Sequence, residues 1–214
     1  MKSDLPQDEW ERLLSTVSFD LSAKDQLSDQ SKEDARQLQK GSRDFSVGNT
    51  TPAAVLVPVV NSQDQAQIVL TRRSEQLSSH KGQVAFPGGK IDPTDGTPSA
   101  AAIRETCEEI GIPSHQISVL GKLPLYETGT GFIITPIVAS VSPPYLFKKE
   151  EGEVEEIFQV PLSHVANLAH YHKQSVYWQG VERHFWVLDF EDYFIWGATA
   201  AILNDLARRL NNSF

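Results

Sequence analysis

Residues 86–112 read FPGGKIDPTDGTPSAAAIRETCEEIGI, and their order of loop, helix and acidic face decides the architecture. Thr97 suits a helix N-cap, Pro98 the first helical position and Gly111 the left-handed position past the end, so the spacing predicts a helix between them. Residues three and four apart share a helix face, which groups the carboxylates of Glu105, Glu108 and Glu109 next to Arg104. Like charges at that spacing repel by roughly a few tenths of a kcal/mol per pair. Such a cluster is either hydrated or filled by a hard divalent cation that takes oxygen ligands. Ile103, Cys107 and Ile110 form an apolar stripe roughly opposite, expected to dock on a sheet. Before the helix, Gly88 and Gly89 follow Phe86-Pro87, and Asp92, Asp95 and Gly96 make a turn-rich loop. A hydrated surface helix also shows an acidic face; the Gly-Gly loop sets this one apart.

The segment just upstream is basic. Residues 70–90 hold Arg72, Arg73, Lys81 and Lys90 against the single acid Glu75, a local balance of +3, with His80 in addition. Arginine suits bidentate phosphate contacts and lysine point-charge ones. The whole chain carries a net charge of −9, which is unsuited to a polyanion such as nucleic acid. A basic loop beside an acidic helix instead fits a small ligand bearing several phosphates. The plainer reading of Arg72 and Arg73 is that they flank a strand end in solvent.

Gly89, Asp95, Arg104, Glu105, Glu108, Glu109, Gly111 and Ile112 together resemble the signature of Nudix hydrolases. Three features depart from the general pattern: Asp95 replaces a Glu, eight residues rather than seven separate it from Arg104, and Thr106 replaces an apolar residue. Residues 69–92, VLTRRSEQLSSHKGQVAFPGGKID, resemble the extra motif of the coenzyme A pyrophosphatase subgroup, with Val69 in place of a Leu and Ser78 where many members carry Arg. The longer spacing between Asp95 and Arg104 also looks like this subgroup, as do EVEEIFQVPLSHV and IWGATAAILNDL downstream.

The resemblance implies an α+β chain of the Nudix fold, an α/β/α sandwich with a mixed sheet. It implies Mg²⁺ or Mn²⁺ held by Glu105 and Glu109, with Glu108 as third ligand or outer support. Arg104 would fix the carboxylates by ion pairing, and Glu108 or a loop glutamate would act as general base. Arg72, Arg73, His80 and Lys81 would meet the substrate, as would the backbone at Gly88 and Gly89. The implied reaction is hydrolysis of coenzyme A or its acyl derivatives to 3′,5′-ADP and 4′-phosphopantetheine or its acyl form. Nudix enzymes often draw one further carboxylate from downstream, and Glu153 and Glu156 are the candidates within the run Glu150, Glu151, Glu153, Glu155, Glu156. The alternatives are a Nudix pyrophosphatase for ADP-ribose, NADH or a dinucleotide, and a nucleotide-binding module without catalysis. An isomerase on the same fold has little to recommend it.

At 214 residues the chain suits one domain (51–214) with a helical extension (1–50). PQDEWERLLSTV and SKEDARQLQK read as two short helices in that extension. A single cysteine excludes an intramolecular disulfide, and Cys107 reads as a core residue. No apolar run approaches the ~20 residues needed to span a bilayer, and the N-terminus lacks the apolar stretch of a signal peptide. The expectation is a cytoplasmic monomer or homodimer whose partner is a small molecule, not a nucleic acid or a membrane. AAVLVPVV and QIVLTRR read as strands, with Pro58 placing the first at an edge or a bulge. ISVLGKLPLYE and FIITPIVASV read as further strands, SVYWQGVERHFWVLDF as a hairpin about Gln179-Gly180, and WGATAAILNDLARRL as a closing helix. Histidines 164, 170, 172 and 184 show no metal-ligand spacing.

Overall fold

The computed structural model describes residues 50–62, 65–178 and 181–212, together with Leu14, Leu27, Ser28 and Lys32. The apolar runs that open the domain pair as an antiparallel hairpin, β1 (Thr51–Ser62) and β2 (Gln65–Arg73). Short strands β3 (Val84–Ala85) and β4 (Gly88–Lys90) lead into helix α1 (Pro98–Ile110). Then follow β5 (Ile117–Lys122), β6 (Tyr126–Glu127), β7 (Phe132–Val141), β8 (Val154–Pro161), α2 (Leu162–Ala166), β9 (Tyr171–Trp178), β10 (Val181–Phe190), β11 (Tyr193–Trp196) and α3 (Gly197–Asn212).

Eight strands form one sheet in the order β3-β2-β1-β7-β5, with β4 on β1, β6 on β7 and β8 on β2. The β1–β7 pair is parallel and its neighbours are antiparallel, so the sheet is mixed. Strand residues alternate between faces. On one face Ala54, Leu56, Val69 and Ile137 pack with Ala101, Ala102 and Ile110 of α1. On the other, Val57, Val59, Ile68 and Leu70 pack with Ala200, Leu203, Leu206 and Leu210 of α3. Both faces are buried, which is why β1 and β2 read as nearly unbroken apolar runs. The result is the α/β/α sandwich expected from the sequence.

Pro58 is the first correction. It lies in a central strand, not at an edge: β1 pairs with β7 from Thr51 through Val59. On its other side β1 pairs with β4 over Ala53–Val55 and with β2 only from Val59 onward. The Leu56 N–H points to that second side, reaching Pro87 O at 2.9 Å. Backbone direction repeats every second residue, so the position where Pro58 lacks an N–H falls in the gap between the two pairings.

The hairpin of β9 and β10 joins β11 in a separate three-stranded sheet; Leu188 and Ile195 bury it in the α3 core. Its turn residues, 179 and 180, lie outside the described residues, as does most of the stretch read as two N-terminal helices. Leu14 and Lys32 are the exceptions there, both helical, with Leu14 buried against α3 and Lys32 exposed, and Ser28 N–H donates to Leu125 O at 2.8 Å. Among the described residues no helix is long and apolar enough to cross a membrane.

Candidate active site

Helix α1 begins and ends where its caps direct. Thr97 Oγ1 accepts from Ala100 N–H at 3.1 Å, and Gly111 closes the helix at φ 74°. The second correction is its rotation. The buried face is Ala101, Ala102, Thr106, Glu109 and Ile110, whereas Ile103 and Cys107 are only partly covered. Two alanines let α1 approach the sheet closely. Thr106 is tolerated there because its hydroxyl donates to Ala102 O at 2.7 Å, which leaves only its methyl group to pack. Burial pushes the Cys107 thiol above its ordinary pKa, which favours its neutral form.

That rotation divides the three glutamates. Glu109 points inward and is 4% exposed, its Oε2 accepting the Gly88 N–H at 3.1 Å. Burial pushes its carboxyl up to about 8, against the opposing pull of the Gly88 hydrogen bond and the Arg73 charge. Glu105, one turn earlier, is pushed up by burial too, with Arg104 acting the other way. A Cβ at Gly89 would lie 2.5 Å from Glu105 Oε1, so a larger residue there would displace that carboxylate. Glu108 is exposed, and its carboxylate accepts from Arg104 Nη1 at 3.0 Å.

Arg104 organises this face. Nε and Nη2 donate to the two oxygens of Asp95 at 2.8 and 3.0 Å, a bidentate pair. Nη1 donates to Glu105 at 2.9 Å as well as to Glu108. The guanidinium holds the Asp95 carboxyl below its ordinary range. Asp95 also accepts from Asp92 N–H at 2.7 Å, so it ties the loop to the helix.

The segment after β7 completes the helix end. Lys148 N–H donates to Ile110 O and Glu150 N–H to Glu109 O, each at 2.9 Å. Three residues on comes Glu153, whose backbone carbonyl accepts from Ser74 N–H at 2.9 Å. The charge of Glu153 is the smallest of the causes that raise the pKa of both Glu105 and Glu109. Glu156 is elsewhere: it pairs with Arg72 at 3.1 Å and accepts from the Tyr193 hydroxyl at 2.7 Å.

The basic segment is divided in the same way. Arg72 and Arg73 are consecutive in β2 and so face opposite sides of the sheet, with a register irregularity between them against β8. Arg73 bears on Glu109, and its Nε is buried without a hydrogen-bond partner. Arg72 and Lys81 instead line a pocket of about 530 Å³ on the α3 side. His80 is exposed at φ 56° and bonds Gln83 Oε1 at 2.9 Å, and Ser78 is exposed. The expected single basic patch is therefore two sites. The second, with Tyr193, Phe194 and Trp196 on its wall, escaped the sequence reading, although the alternation in YFIW was a usable signal.

The donors fit a divalent cation in part. Glu105 and Glu109 are hard oxygen donors one turn apart in a partly dry setting, with Arg104 paired to the first and the Arg73 charge acting on the second. Among the described residues, however, no three His, Cys, Asp or Glu side chains converge closely enough to hold an ion; Glu108 is engaged by Arg104.

Comparison with known proteins agrees with this geometry. A family model for the NUDIX domain matches residues 50–179. An Escherichia coli (strain K12) protein described as the uncharacterized Nudix hydrolase NudL is 41% identical over 162 residues, covering 76% of this chain and 84% of its own length. A MutT protein from Methanosarcina mazei Go1 superposes with a TM-score of 0.50 at 19% identity, over 78% of this chain and 97% of that one. A MutT/nudix family protein from Enterococcus faecalis does so with a TM-score of 0.50 at 14% identity, over 87% and 75%. The two structures attest the fold.

Proposed function

Because this chain belongs to the Nudix family and is a pyrophosphohydrolase, we propose that it hydrolyses the diphosphate of coenzyme A and its acyl derivatives, releasing 3′,5′-ADP and 4′-phosphopantetheine or its acyl form. The observation that carries the reaction is the pair Glu105 and Glu109, desolvated against the Gly88-Gly89 loop with Arg73 beside them. The choice of substrate rests on the VLTRRS…HKGQVAFPGG stretch that supplies this loop and this arginine.

Glu105 and Glu109 would hold Mg²⁺ or Mn²⁺, with Glu108 or Glu153 as a further oxygen donor. When bound, the ion supplies positive charge against the diphosphate oxygens and acidifies a nearby water. The chain's own groups do the rest. Arg73 offers a buried, unpaired N–H to a diphosphate oxygen. Gly88 N–H orients Glu109. Arg104 holds Glu105 and Glu108 in place through Asp95. Glu153, whose charge acts on both glutamates while Glu156 is engaged by Arg72 and Tyr193, is the extra carboxylate and takes the proton from the attacking water. Residues 51–214 form the catalytic unit, with 1–50 as an extension.

Two outcomes test this reading. In a chromatographic assay with Mn²⁺, kcat/KM on coenzyme A should exceed that on ADP-ribose or NADH by about tenfold or more, which needs only ~1.4 kcal/mol of discrimination. Equal rates on all three would give the substrate to another nucleoside diphosphate derivative. Separately, Arg104→Lys keeps the charge but loses the planar fork that grips Asp95 and both glutamates. It should lower kcat by about 10- to 100-fold, the usual cost of loosening a ligand's support. An unchanged kcat would remove Arg104 from the machinery.

A further inference from the structure

On the α3 side of the sheet, the pocket lined by Arg72, Lys81, Glu156, Tyr193, Phe194 and Trp196 is not used by the chemistry described so far. Phe194 and Trp196 lie two residues apart in β11 and so present their rings on one side. They are 45% and 36% exposed, with centroids 6.4 Å apart and an interplanar angle of 30°. Tyr193 faces the other way, stacked on Phe158 at 3.7 Å, and its hydroxyl fixes Glu156. Two adjoining, partly exposed aromatic rings beside a formed polar wall make a surface suited to stacking a flat ligand.

The polar wall has spare capacity. Glu156 takes one bond from Arg72 and one from Tyr193, and a carboxylate can accept about four. Arg72 is partly exposed and uses one guanidinium nitrogen on Glu156. Lys81 is exposed and carries no ion pair among the described residues. Asp192 at the rim makes the pocket unattractive to a bare polyanion. A flat aromatic ring with an amino group, carrying one compact phosphate, satisfies each of these groups at once. The ring stacks on Phe194 and Trp196, the amino group donates to Glu156, and the phosphate meets Lys81 and Arg72.

The position is also right. Arg72 and Glu156 face each other across the sheet one step from Arg73 and Val154, on either side of the register irregularity. Glu156 lies in β8 and Glu153 in the turn just before it. A ligand whose diphosphate lies at Glu105 and Glu109 would reach this pocket by turning around the end of β2 and β8.

We infer that this pocket binds the adenine nucleoside 3′-phosphate end of the substrate and sets nucleotide specificity through Phe194, Trp196 and Lys81. The inference rests on the coenzyme A reading for its choice of nucleotide. The test is calorimetric titration of the full chain with 3′,5′-ADP, AMP and 4′-phosphopantetheine, alongside KM for coenzyme A with Mn²⁺. Because each ring is more than half buried and Trp196 packs edge-on against Phe185, the double variant Phe194→Ala/Trp196→Ala should lose some Tm yet stay folded, and a melting curve checks that it does. It should bind 3′,5′-ADP about 5- to 100-fold more weakly, the ~1–3 kcal/mol of base stacking at 1.4 kcal/mol per tenfold. Lys81→Ala should weaken 3′,5′-ADP but not AMP, which lacks the 3′-phosphate. Titrations within twofold of wild type, or a loss confined to 4′-phosphopantetheine, would overturn the assignment. The two readings fail differently. A wild-type chain that binds 3′,5′-ADP through these residues yet leaves coenzyme A intact sinks the substrate and keeps the pocket. Turnover of coenzyme A with a KM indifferent to the double variant does the reverse.

Discussion

Glu109→Gln is expected to cut metal-dependent hydrolysis about a thousandfold while making the metal-free protein more stable. The loss follows from removing a charged ligand from a cation whose charge is worth several kcal/mol in the transition state, at 1.36 kcal/mol per tenfold in rate. The gain follows from burial. Glu109 is 4% exposed and its carboxyl is pushed up to about 8 in the folded chain, against an ordinary value of 4.5. A group whose folded pKa is raised binds more protons folded than unfolded, so stability falls as pH rises between those two values and levels off above the higher one. Glutamine keeps the acceptor for Gly88 N–H and has no charge to lose. The variant should therefore melt higher than wild type at pH 9, by a margin on the order of a few kcal/mol, and nearly equally at pH 4. Mn²⁺ should reverse the ranking at pH 9, because the ion needs the deprotonated carboxylate. Melting curves at both pH values, with and without Mn²⁺, check the stability half, and product release checks the other. Near wild-type turnover in this variant would discard the proposed ligand set.

Gly88→Ala should be the most destabilising single substitution in the loop. A Cβ there would collide with the backbone oxygen of Ala54 and lie 2.6 Å from Val55 Cα, both in central strand β1. Neither can move without disturbing the β1–β4 and β1–β7 pairings. Overpacking of this kind costs about 1–3 kcal/mol or more, which in a chain of this size lowers Tm by roughly 2–12 °C. Activity should fall with it, since Gly88 N–H positions Glu109. A variant melting within a degree of wild type would show that the loop is softer than its packing indicates.

The parts of the fold legible in the sequence were those written in local signals. Thr97, Pro98 and Gly111 delimit α1 within one stretch of chain, and the helix is where they place it. The runs at 51–62 and 65–73 gave a hairpin because strand composition and a short polar turn suffice. What local pattern could not convey was orientation. A helical wheel set Ile103 and Cys107 against the sheet, yet Glu109 turns inward because Gly88, far back in the chain, supplies its hydrogen bond. Pro58 misled for the same reason, its missing donor falling between two partners contributed by different segments. The basic stretch read as one patch, but strand alternation sends Arg72 to the α3 side and Arg73 to the α1 side. The aromatic pocket was invisible because it needs β2, β8 and β11 together; the Thr199 hydroxyl reaching Val84 O across 115 positions shows the separation involved.

The amides of Lys148 and Glu150 close the last carbonyls of α1, and the same few residues carry Glu153 toward the acidic pair. One excursion of that stretch would fray the helix and withdraw a carboxylate in a single motion, while the two apolar layers on either side of the sheet stayed shut. Inactivation would then run ahead of unfolding, and the protein would forfeit its chemistry at a lower temperature than its shape.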